Sequence, residues 1–247
     1  MTPRLHVVDL ALATGASLAL PDAAAHHALR VLRLRAGDAL TLFDGSGGEW
    51  RATLAGVAPR GGGATVTIVS HDAVERESPL AATLALSTLA TDAMDYAVRK
   101  AVELGVASIV PVVAMRSQGA SRGEARVEHW RRIAIAACEQ CGRNRIPPIA
   151  APQPLAAWLE QRERRAAGIV LAPAADATLA SIRAHDAIDV LVGPEGGFDA
   201  AELAAAARAG LVAVALGPRI LKAETACVAA LSALQTLRGD LGAGLTS

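Results

Sequence analysis

Residues Leu191–Leu203 read LVGPEGGFDAAEL, and their types and spacing could form a small-molecule binding turn. An apolar strand leads into a glycine-rich turn, and an alanine-rich helix follows it. Turns of this kind usually hold a phosphate on backbone N–H groups. Here the carboxylate of Glu195 would repel a phosphate, and the G-x-G-x-x-G spacing of dinucleotide sites is missing. We therefore predict a neutral or cationic ligand, such as adenosine with a sulfonium centre; the alternative is a tight structural turn.

A second loop, LGPRIL (Leu216–Leu221), follows the next apolar strand. In open α/β sheets, ligands bind where the carboxyl ends of strands open into loops, so both loops are expected at one binding edge. Asp199 and Glu202, between them, have the spacing of a capping box, which would satisfy that helix N-terminus with its own side chains. The ligand is then expected to lie close to the backbone of the two loops.

The elements that must position these loops alternate between apolar strands and helices, which is typical of a mostly parallel sheet with helices on both faces. Residues 1–72 instead read as short strands, with a hairpin turn at Ser46-Gly47 and one short helix beginning at Asp22. Short strands at this spacing indicate a small β-barrel. We predict an N-terminal domain at 1–72 and an α/β domain at 73–247. Helices are expected over MDYAVRKAVELG (94–105), VEHWRRIAIAACEQCGR (127–143), PLAAWLEQRERRAAG (154–168), TLASIRAH (178–185), DAAELAAAARAG (199–210) and LKAETACVAALSALQTLR (221–238).

The charge of the chain is balanced overall but uneven along its length. The formal net charge of the 247 residues is zero, which argues against a general polyanion binder. Between Arg99 and Arg145, however, there are nine basic residues and four acids, and Arg30, Arg33 and Arg35 have no acid between them. Such groups are either solvated helix faces or local anion-binding patches.

Cysteine usage and hydropathy indicate the compartment. Three cysteines form no disulfide framework and suggest a reducing environment. Uninterrupted apolar runs stay shorter than about 18 residues, so we expect no membrane span. Cys138 and Cys141 make a C-x-x-C inside a predicted helix without a second pair at metal spacing, so we expect no metal. These features predict a soluble cytoplasmic protein.

The two loops and the last helix carry a family resemblance. GPEGG followed by LGPRILKAETACVAALSALQ resembles the C-terminal signature of the SPOUT methyltransferases, and more narrowly the 16S rRNA (uracil-N3)-methyltransferase (RsmE) family. Further blocks resemble the same family in the same order and extend the likeness over nearly the whole chain: HHALRVLRLRAGDALTLFDGSG (26–47), KAVELGVASIVPVVAMRSQ (100–118) and HWRRIAIAACEQCGRNRIPPI (129–149).

This resemblance implies the architecture and the cofactor. It implies a PUA-like N-terminal β-barrel that docks RNA, followed by a SPOUT α/β domain whose C-terminal part forms a trefoil knot. It also implies a homodimer that binds S-adenosyl-L-methionine in the knot and methylates N3 of a uridine in 16S rRNA, within the 30S subunit. The implied cofactor-binding residues are Gly193, Pro194, Glu195, Gly196, Gly197, Leu216, Gly217, Pro218, Ile220 and Leu221.

The same resemblance and the charges suggest catalytic and RNA-binding residues. Arg219 would stabilise the charge that develops on the uracil when its N3 proton is lost; the alternative is an arginine that ties the loops together. Glu224 could act as the base, or it could cap the last helix. The expected RNA-binding residues are Arg30, Arg33, Arg35, Arg116 and Arg143, and ion pairs are the alternative for the last two.

Two departures from the family pattern, and two alternative functions, stay open. Ala223 stands where the family usually has threonine, and ATDAMDYAVRK (90–100) stands where it commonly has a lysine-rich segment. These concern substrate contacts more than the reaction. The alternatives are a SPOUT enzyme acting on another rRNA or tRNA base, and a non-catalytic RNA-binding protein.

Overall fold

The computed structural model describes residues 2–57, 63–117, 123–162, 167–182 and 186–242. The chain divides into two compact units. The first consists of Met1–Glu77 and Cys138–Ile146, and the second of Ser78–Ala137 and Pro147–Ser247. The domain division at 72/73 stays a prediction, and the structure adds that Cys138–Ile146 packs with the N-terminal part of the chain.

The first unit contains a five-stranded sheet in the order β1-β3-β4-β5-β2. The two long strands alternate more and less buried residues, and the buried ones contribute to a core of Leu, Val, Ile and Ala side chains. The antiparallel hairpin of β3 and β4 encloses Ser46 and Gly47, as predicted from the sequence. The strands are β1 (Arg4–His6), β2 (Ser17–Ala19), β3 (Ala39–Phe43), β4 (Glu49–Val57) and β5 (Ala64–Asp72).

The helix expected from Asp22 is real but shorter than the pattern suggested. Helix α1 covers Asp22–His26 and continues as a π-helical turn, His27–Val31, in which the N–H of Leu32 donates to the carbonyl of His27. Leu29, Leu32 and Leu34 pack against the core. Leu34 lies beyond the helical segment, after Arg33, whose φ of +57° is not helical.

Buried ions join Cys138–Ile146 to the rest of the first unit. Glu49 pairs with Arg4 and Arg76, and the Arg4 guanidinium also donates to Asn144 Oδ1. Burial raises the pKa of the Glu49 carboxyl, but hydrogen bonds from Arg76 and Arg4 outweigh it and hold the pKa below its ordinary value. The Glu49 carboxyl therefore stays ionised at neutral pH.

The second unit is built on a seven-stranded sheet in which each pairing is parallel, in the order β10-β12-β9-β11-β6-β7-β8. The strands are β6 (Ala81–Ser87), β7 (Ser108–Val113), β8 (Gln153–Pro154), β9 (Ala167–Leu171), β10 (Ala177–Thr178), β11 (Ala187–Val192) and β12 (Val212–Ala215). The helices are α2 (Thr91–Glu103), α3 (Glu124–Cys141), α4 (Leu155–Gln161), α5 (Ala200–Arg208) and α6 (Ala223–Arg238). The last turn of α3 belongs to the first unit.

Both faces of this sheet are covered, as its apolar strands predicted. Leu84 and Leu86 of β6 face a core that includes residues of α2 and α6. Ala85, between them, faces a second core with residues of α4 and α5. Successive side chains of a strand point to opposite faces, so a strand buried on both sides needs apolar residues throughout.

Two predicted helices differ from the structure. TLASIRAH was expected to be helical, but Ala177–Thr178 is a strand paired with β12, and a single 3-10 turn, Leu179–Ser181, follows. Its last residues, 183–185, lie outside the described residues. The helix expected over 154–168 ends at Gln161, and Gly168 lies in β9. In both places pairing with a neighbouring strand overrides local helix propensity. In the described part of the chain, no helix is long and apolar enough to cross a membrane.

The two buried cysteines should resist thiol reagents in the folded protein. Burial raises the pKa of Cys138 and of Cys227 to about 12, so both thiols stay protonated at pH 8. Because the thiolate is the reactive form, we expect native protein to expose at most Cys141 to a disulfide reagent, and urea-unfolded protein to react at all three positions. Rapid reaction of Cys227 in native protein, located by peptide mass spectrometry, would contradict this.

Candidate functional site

A cavity of about 600 Å³ opens at the carboxyl ends of β9, β11 and β12. Its volume lies in the range of small-molecule sites, and its walls combine apolar side chains with backbone from two loops. The lining residues are Ala90, Ala93, Leu171, Ala172, Pro173, Val192, Gly193, Pro194, Glu195, Gly197, Phe198, Leu203, Val214, Leu216, Gly217, Arg219, Ile220, Leu221, Lys222, Ala223, Glu224 and Ala226.

The first loop, Gly193–Gly197, needs glycine at two positions for different reasons. The N–H of Gly197 donates to the carbonyl of Pro194 at 2.8 Å, and Gly197 has φ +67°, which side chains disfavour. A Cβ at Gly193 would lie 3.1 Å from the Phe198 ring, so glycine permits the ring to pack against the backbone. The loop is thus shaped by its own sequence.

Glu195 has a structural partner that the sequence did not suggest. Its carboxylate accepts a hydrogen bond from the N–H of Ala90 at 3.3 Å. Ala90 is the N-cap residue of α2 and offers no side chain to cap that helix. A carboxylate is favourable at a helix N-terminus because of the helix dipole. Glu195 therefore links the first loop to the start of α2.

Helix α5 begins with the predicted capping box. Asp199 Oδ1 accepts from the N–H of Glu202 at 2.8 Å, and Glu202 Oε2 accepts from the N–H of Asp199 at 3.0 Å. The second oxygen of Glu202 accepts from the N–H of Met115 at 2.7 Å. Beside it, Arg116 donates to the carbonyl of Gly196 at 2.8 Å. The segment after β7 is thereby fixed to the first loop.

The second loop, Leu216–Leu221, connects β12 to α6 and is largely exposed. Gly217 has φ +95°, which allows the chain to turn there. The side chain of Ile220 is 85% exposed although it borders the cavity. Ile220 thus adds an apolar side chain to the edge of the cavity.

Three charged side chains at the cavity have no partner. Within the residues that the structure describes, the side chains of Arg219, Lys222 and Glu224 form no hydrogen bond or ion pair. Glu224 lies in the first turn of α6 but forms no cap hydrogen bond there. Neither structural alternative, a loop-tying arginine or a capping glutamate, is observed, so all three groups are free to meet a ligand.

Most of the cofactor residues suggested by the sequence line this cavity. Gly193, Pro194, Glu195, Gly197, Leu216, Gly217, Ile220 and Leu221 do so, whereas Gly196 and Pro218 do not. Sequence reasoning missed Lys222 and the segment Leu171–Pro173. Strand β9 ends at Leu171, and Pro173 follows it two residues later. This proline could have indicated a third loop at the same edge of the sheet.

The arginines predicted to bind RNA fall into two classes. Arg30, Arg33 and Arg35 are exposed, and in the described part of the chain their side chains form no ion pair. The neighbouring leucines point into the core, so the three cations project outward. Arg143 is only 4% exposed, and its Nε donates to Glu77 at 3.0 Å. Arg143 is therefore a buried ion-pair residue, and the prediction that it binds RNA is corrected.

Metal ligands do not gather around the cavity or elsewhere in the described ranges. No group of three or more His, Cys, Asp or Glu side chains in those ranges is placed to hold a metal ion. Cys138 is buried, and its thiol lies 3.6 Å from the carbonyl of Arg145. This placement suits a packing residue.

Comparison with known families gives the class of the protein. Residues 76–235 match the RNA methyltransferase domain, and residues 20–61 match the RNA methyltransferase PUA domain. The fold is therefore that of a SPOUT-class α/β RNA methyltransferase with an N-terminal PUA domain, as the sequence predicted.

Individual relatives narrow the class. A ribosomal RNA small subunit methyltransferase E of Buchnera aphidicola subsp. Schizaphis graminum is 30% identical over 91% of this chain and 92% of its own. The protein of the same name from Mycobacterium bovis is 31% identical, covering 96% and 93%. The chain belongs to the ribosomal RNA small subunit methyltransferase E family.

Solved structures of methyltransferases have a similar fold. The Neisseria gonorrhoeae ribosomal RNA small subunit methyltransferase E, bound to S-adenosyl methionine, has a TM-score of 0.91 and 38% identity, covering 98% of this chain and 100% of that one. The Legionella pneumophila putative methyltransferase Lpg2936, in complex with the same cofactor, has a TM-score of 0.92 and 35% identity, with the same coverage.

Proposed function

We propose that this protein transfers the methyl group of S-adenosyl-L-methionine to N3 of a uridine in 16S rRNA of the small ribosomal subunit. The cavity at the carboxyl ends of β9, β11 and β12 carries this proposal, because its two loops are those of the family motif. Relatives named for small-subunit rRNA methylation, and similar structures that hold the cofactor, support it.

The residues present fit this cofactor. Leu171, Leu216 and Ile220 offer apolar contacts for an adenine ring, and the backbone of Gly193 and Gly217 allows close approach. When bound, S-adenosyl-L-methionine supplies a methyl group on a positively charged sulfur, ready for transfer to a nucleophile. The mixed charges of the cavity wall suit a molecule that carries both signs.

The chain's own residues would prepare the uracil. N3 has no free lone pair while it is protonated, so the imide proton must leave before or during transfer. Glu224, which lines the cavity, would accept this proton directly or through water, and Arg219 would stabilise the negative charge left on the base. Holding N3 in line with the methyl group can supply about 7–11 kcal/mol of barrier reduction.

RNA docking would use the first unit. Arg30, Arg33 and Arg35 are exposed and form no ion pair with any residue that the structure describes. They are suited to phosphate contacts, which position an RNA without reading its sequence. N3 lies on the pairing edge of uracil, so the target must be unpaired or extruded from its helix. Arg116, exposed and bound to the carbonyl of Gly196, is placed beside the first loop for a further contact.

The proposal extends to the assembly and its location. We infer that the protein acts as a homodimer in the cytoplasm on the assembled 30S subunit. Relatives named for ribosomal RNA of the small subunit support this substrate.

A methyl-transfer assay tests the function. Protein and radiolabelled S-adenosyl-L-methionine would be incubated with 30S subunits, with protein-free 16S rRNA and with tRNA, all from a strain lacking the modification. We expect label in 30S subunits, at N3 of a single uridine when the modified position is mapped by mass spectrometry. Label at another base would assign a different SPOUT activity. Calorimetry that detects no cofactor binding would identify a non-catalytic RNA-binding protein.

A further inference from the structure

Lys222 occupies a position at which helix energetics disfavour lysine. It is the N-cap residue of α6, and its side chain makes no cap hydrogen bond. Ser, Thr, Asp and Asn are preferred there because their side chains accept from the first free N–H groups. A cation at this end also opposes the helix dipole. Helix stability therefore gives no reason for this residue.

The cavity gives a reason. Lys222 lines it, is exposed, and has no hydrogen-bond or ion-pair partner among the described residues. Arg219 precedes it in the second loop, and Glu224 follows it in the first turn of α6. Violations of a local rule are expected at functional sites, and here the violation coincides with the wall of the cavity. The unfavourable cap points to a ligand that Lys222 contacts.

We propose that Lys222 contacts a carbonyl oxygen of the target uracil and stabilises the negative charge that develops when N3 loses its proton. This inference rests on the proposed function and adds a second cation to the site. The N3 proton passes to Glu224 or water, the methyl carbon bonds to N3, and the carbon–sulfur electron pair stays on sulfur. Lys222 takes part in none of these bond changes.

Two cations suit this charge better than one. The charge of a deprotonated uracil is shared by the oxygens at C2 and C4, which flank N3 on opposite sides. A guanidinium is a rigid planar fork, whereas an ammonium is a compact charge on a flexible stem. Arg219 and Lys222 would each neutralise one oxygen, and removing either should weaken transition-state stabilisation.

The test compares Lys222→Gln and Lys222→Arg with Lys100→Gln. Lys100 is the only other lysine of the chain; it lies on α2 outside the cavity and pairs with Glu103. We expect Lys222→Gln to lower kcat on 30S subunits roughly 100-fold, the size seen when one oxyanion donor is removed. Lys222→Arg should recover most of the rate, and Lys100→Gln should match the wild type.

Two further measurements separate a catalytic contact from other roles. Lys222→Gln should keep its calorimetric affinity for S-adenosyl-L-methionine within about threefold and unfold in urea no more easily than the wild type, because it removes a cation from a helix N-terminus. A parallel loss of cofactor affinity would overturn the proposal and assign Lys222 to the cofactor carboxylate. Lower stability would overturn it in favour of a structural role.

Lysine acetylation provides a readout that does not depend on turnover. In the presence of S-adenosylhomocysteine, bound 30S subunits should slow acetylation of Lys222, but not of Lys100, as followed by peptide mass spectrometry. Equal acetylation with and without subunits would exclude contact with the RNA.

The failure of this inference can be distinguished from the failure of the proposed function. If the wild type methylates 30S subunits and Lys222→Gln is as active, only this inference fails. A wild type without activity would contradict the proposed function itself.

Discussion

Arg219→Ala is expected to lower methyl transfer about 100- to 1000-fold while the affinity for S-adenosyl-L-methionine changes little. The guanidinium lines the cavity and has no hydrogen-bond or ion-pair partner in the described part of the chain. Its removal therefore breaks no observed internal contact and takes away a charge that matters most in the transition state. Single-turnover kinetics on 30S subunits and calorimetry with the cofactor measure the two quantities.

The control for this variant is Arg208→Ala, which removes an exposed arginine from the last turn of α5 outside the cavity. It should leave both quantities unchanged. Arg219→Lys keeps the charge but loses the planar fork, so an intermediate rate is expected. Equal losses of turnover and cofactor affinity in Arg219→Ala would make Arg219 a cofactor or structural residue instead.

Asp189→Asn is expected to lower the free energy of unfolding by about 3–5 kcal/mol, because it leaves a buried guanidinium without its counter-charge. Asp189 lies in β11, and its Oδ2 accepts from Arg162 Nε at 2.9 Å. The side chains of Arg162 and Asp189 are only 3% and 12% exposed. Arg162 also donates to the carbonyl of Ala209, so the pair joins the end of α4 to β11 and to the end of α5.

Urea unfolding followed by circular dichroism measures this loss. The matched control is Glu103→Gln, which breaks the more exposed pair with Lys100 on α2 and should cost about 0.5 kcal/mol or less. The double variant Arg162→Met with Asp189→Leu should recover part of the stability, since it removes both charges. A loss below about 1 kcal/mol in Asp189→Asn would show that water or another group replaces the carboxylate.

The sequence predicted the site better where residues act locally than where they act at a distance. The capping box of Asp199 and Glu202 depends on four consecutive residues, and it is present. The bond from the N–H of Ala90 to Glu195 joins residues far apart in sequence, and a carboxylate in a turn gives no sign of its partner. For Arg143 the sequence left an RNA contact and an ion pair as alternatives for the same reason: its acidic partner, Glu77, is distant in the chain.

In the fold, too, contacts between distant residues were harder to predict than local structure. The alternation of apolar strands and helices predicted a mostly parallel sheet with both faces covered, and this is observed. The two-residue strands β8 and β10 were not predicted. The pairing of Ala177–Thr178 with β12 is a non-local contact, and it overrides a stretch that reads as helix.

The strand order of the parallel sheet affects how this chain folds while the ribosome synthesises it. Strand β6 is complete at Ser87, but its neighbour β11 ends only at Val192. At roughly 5–20 residues per second, about a hundred intervening residues take about 5–20 s to translate. During that time one long edge of β6 has no partner and can template aggregation. Nascent chains that are halted before Val192 should therefore need chaperones. Proteases should degrade these chains faster than the complete chain.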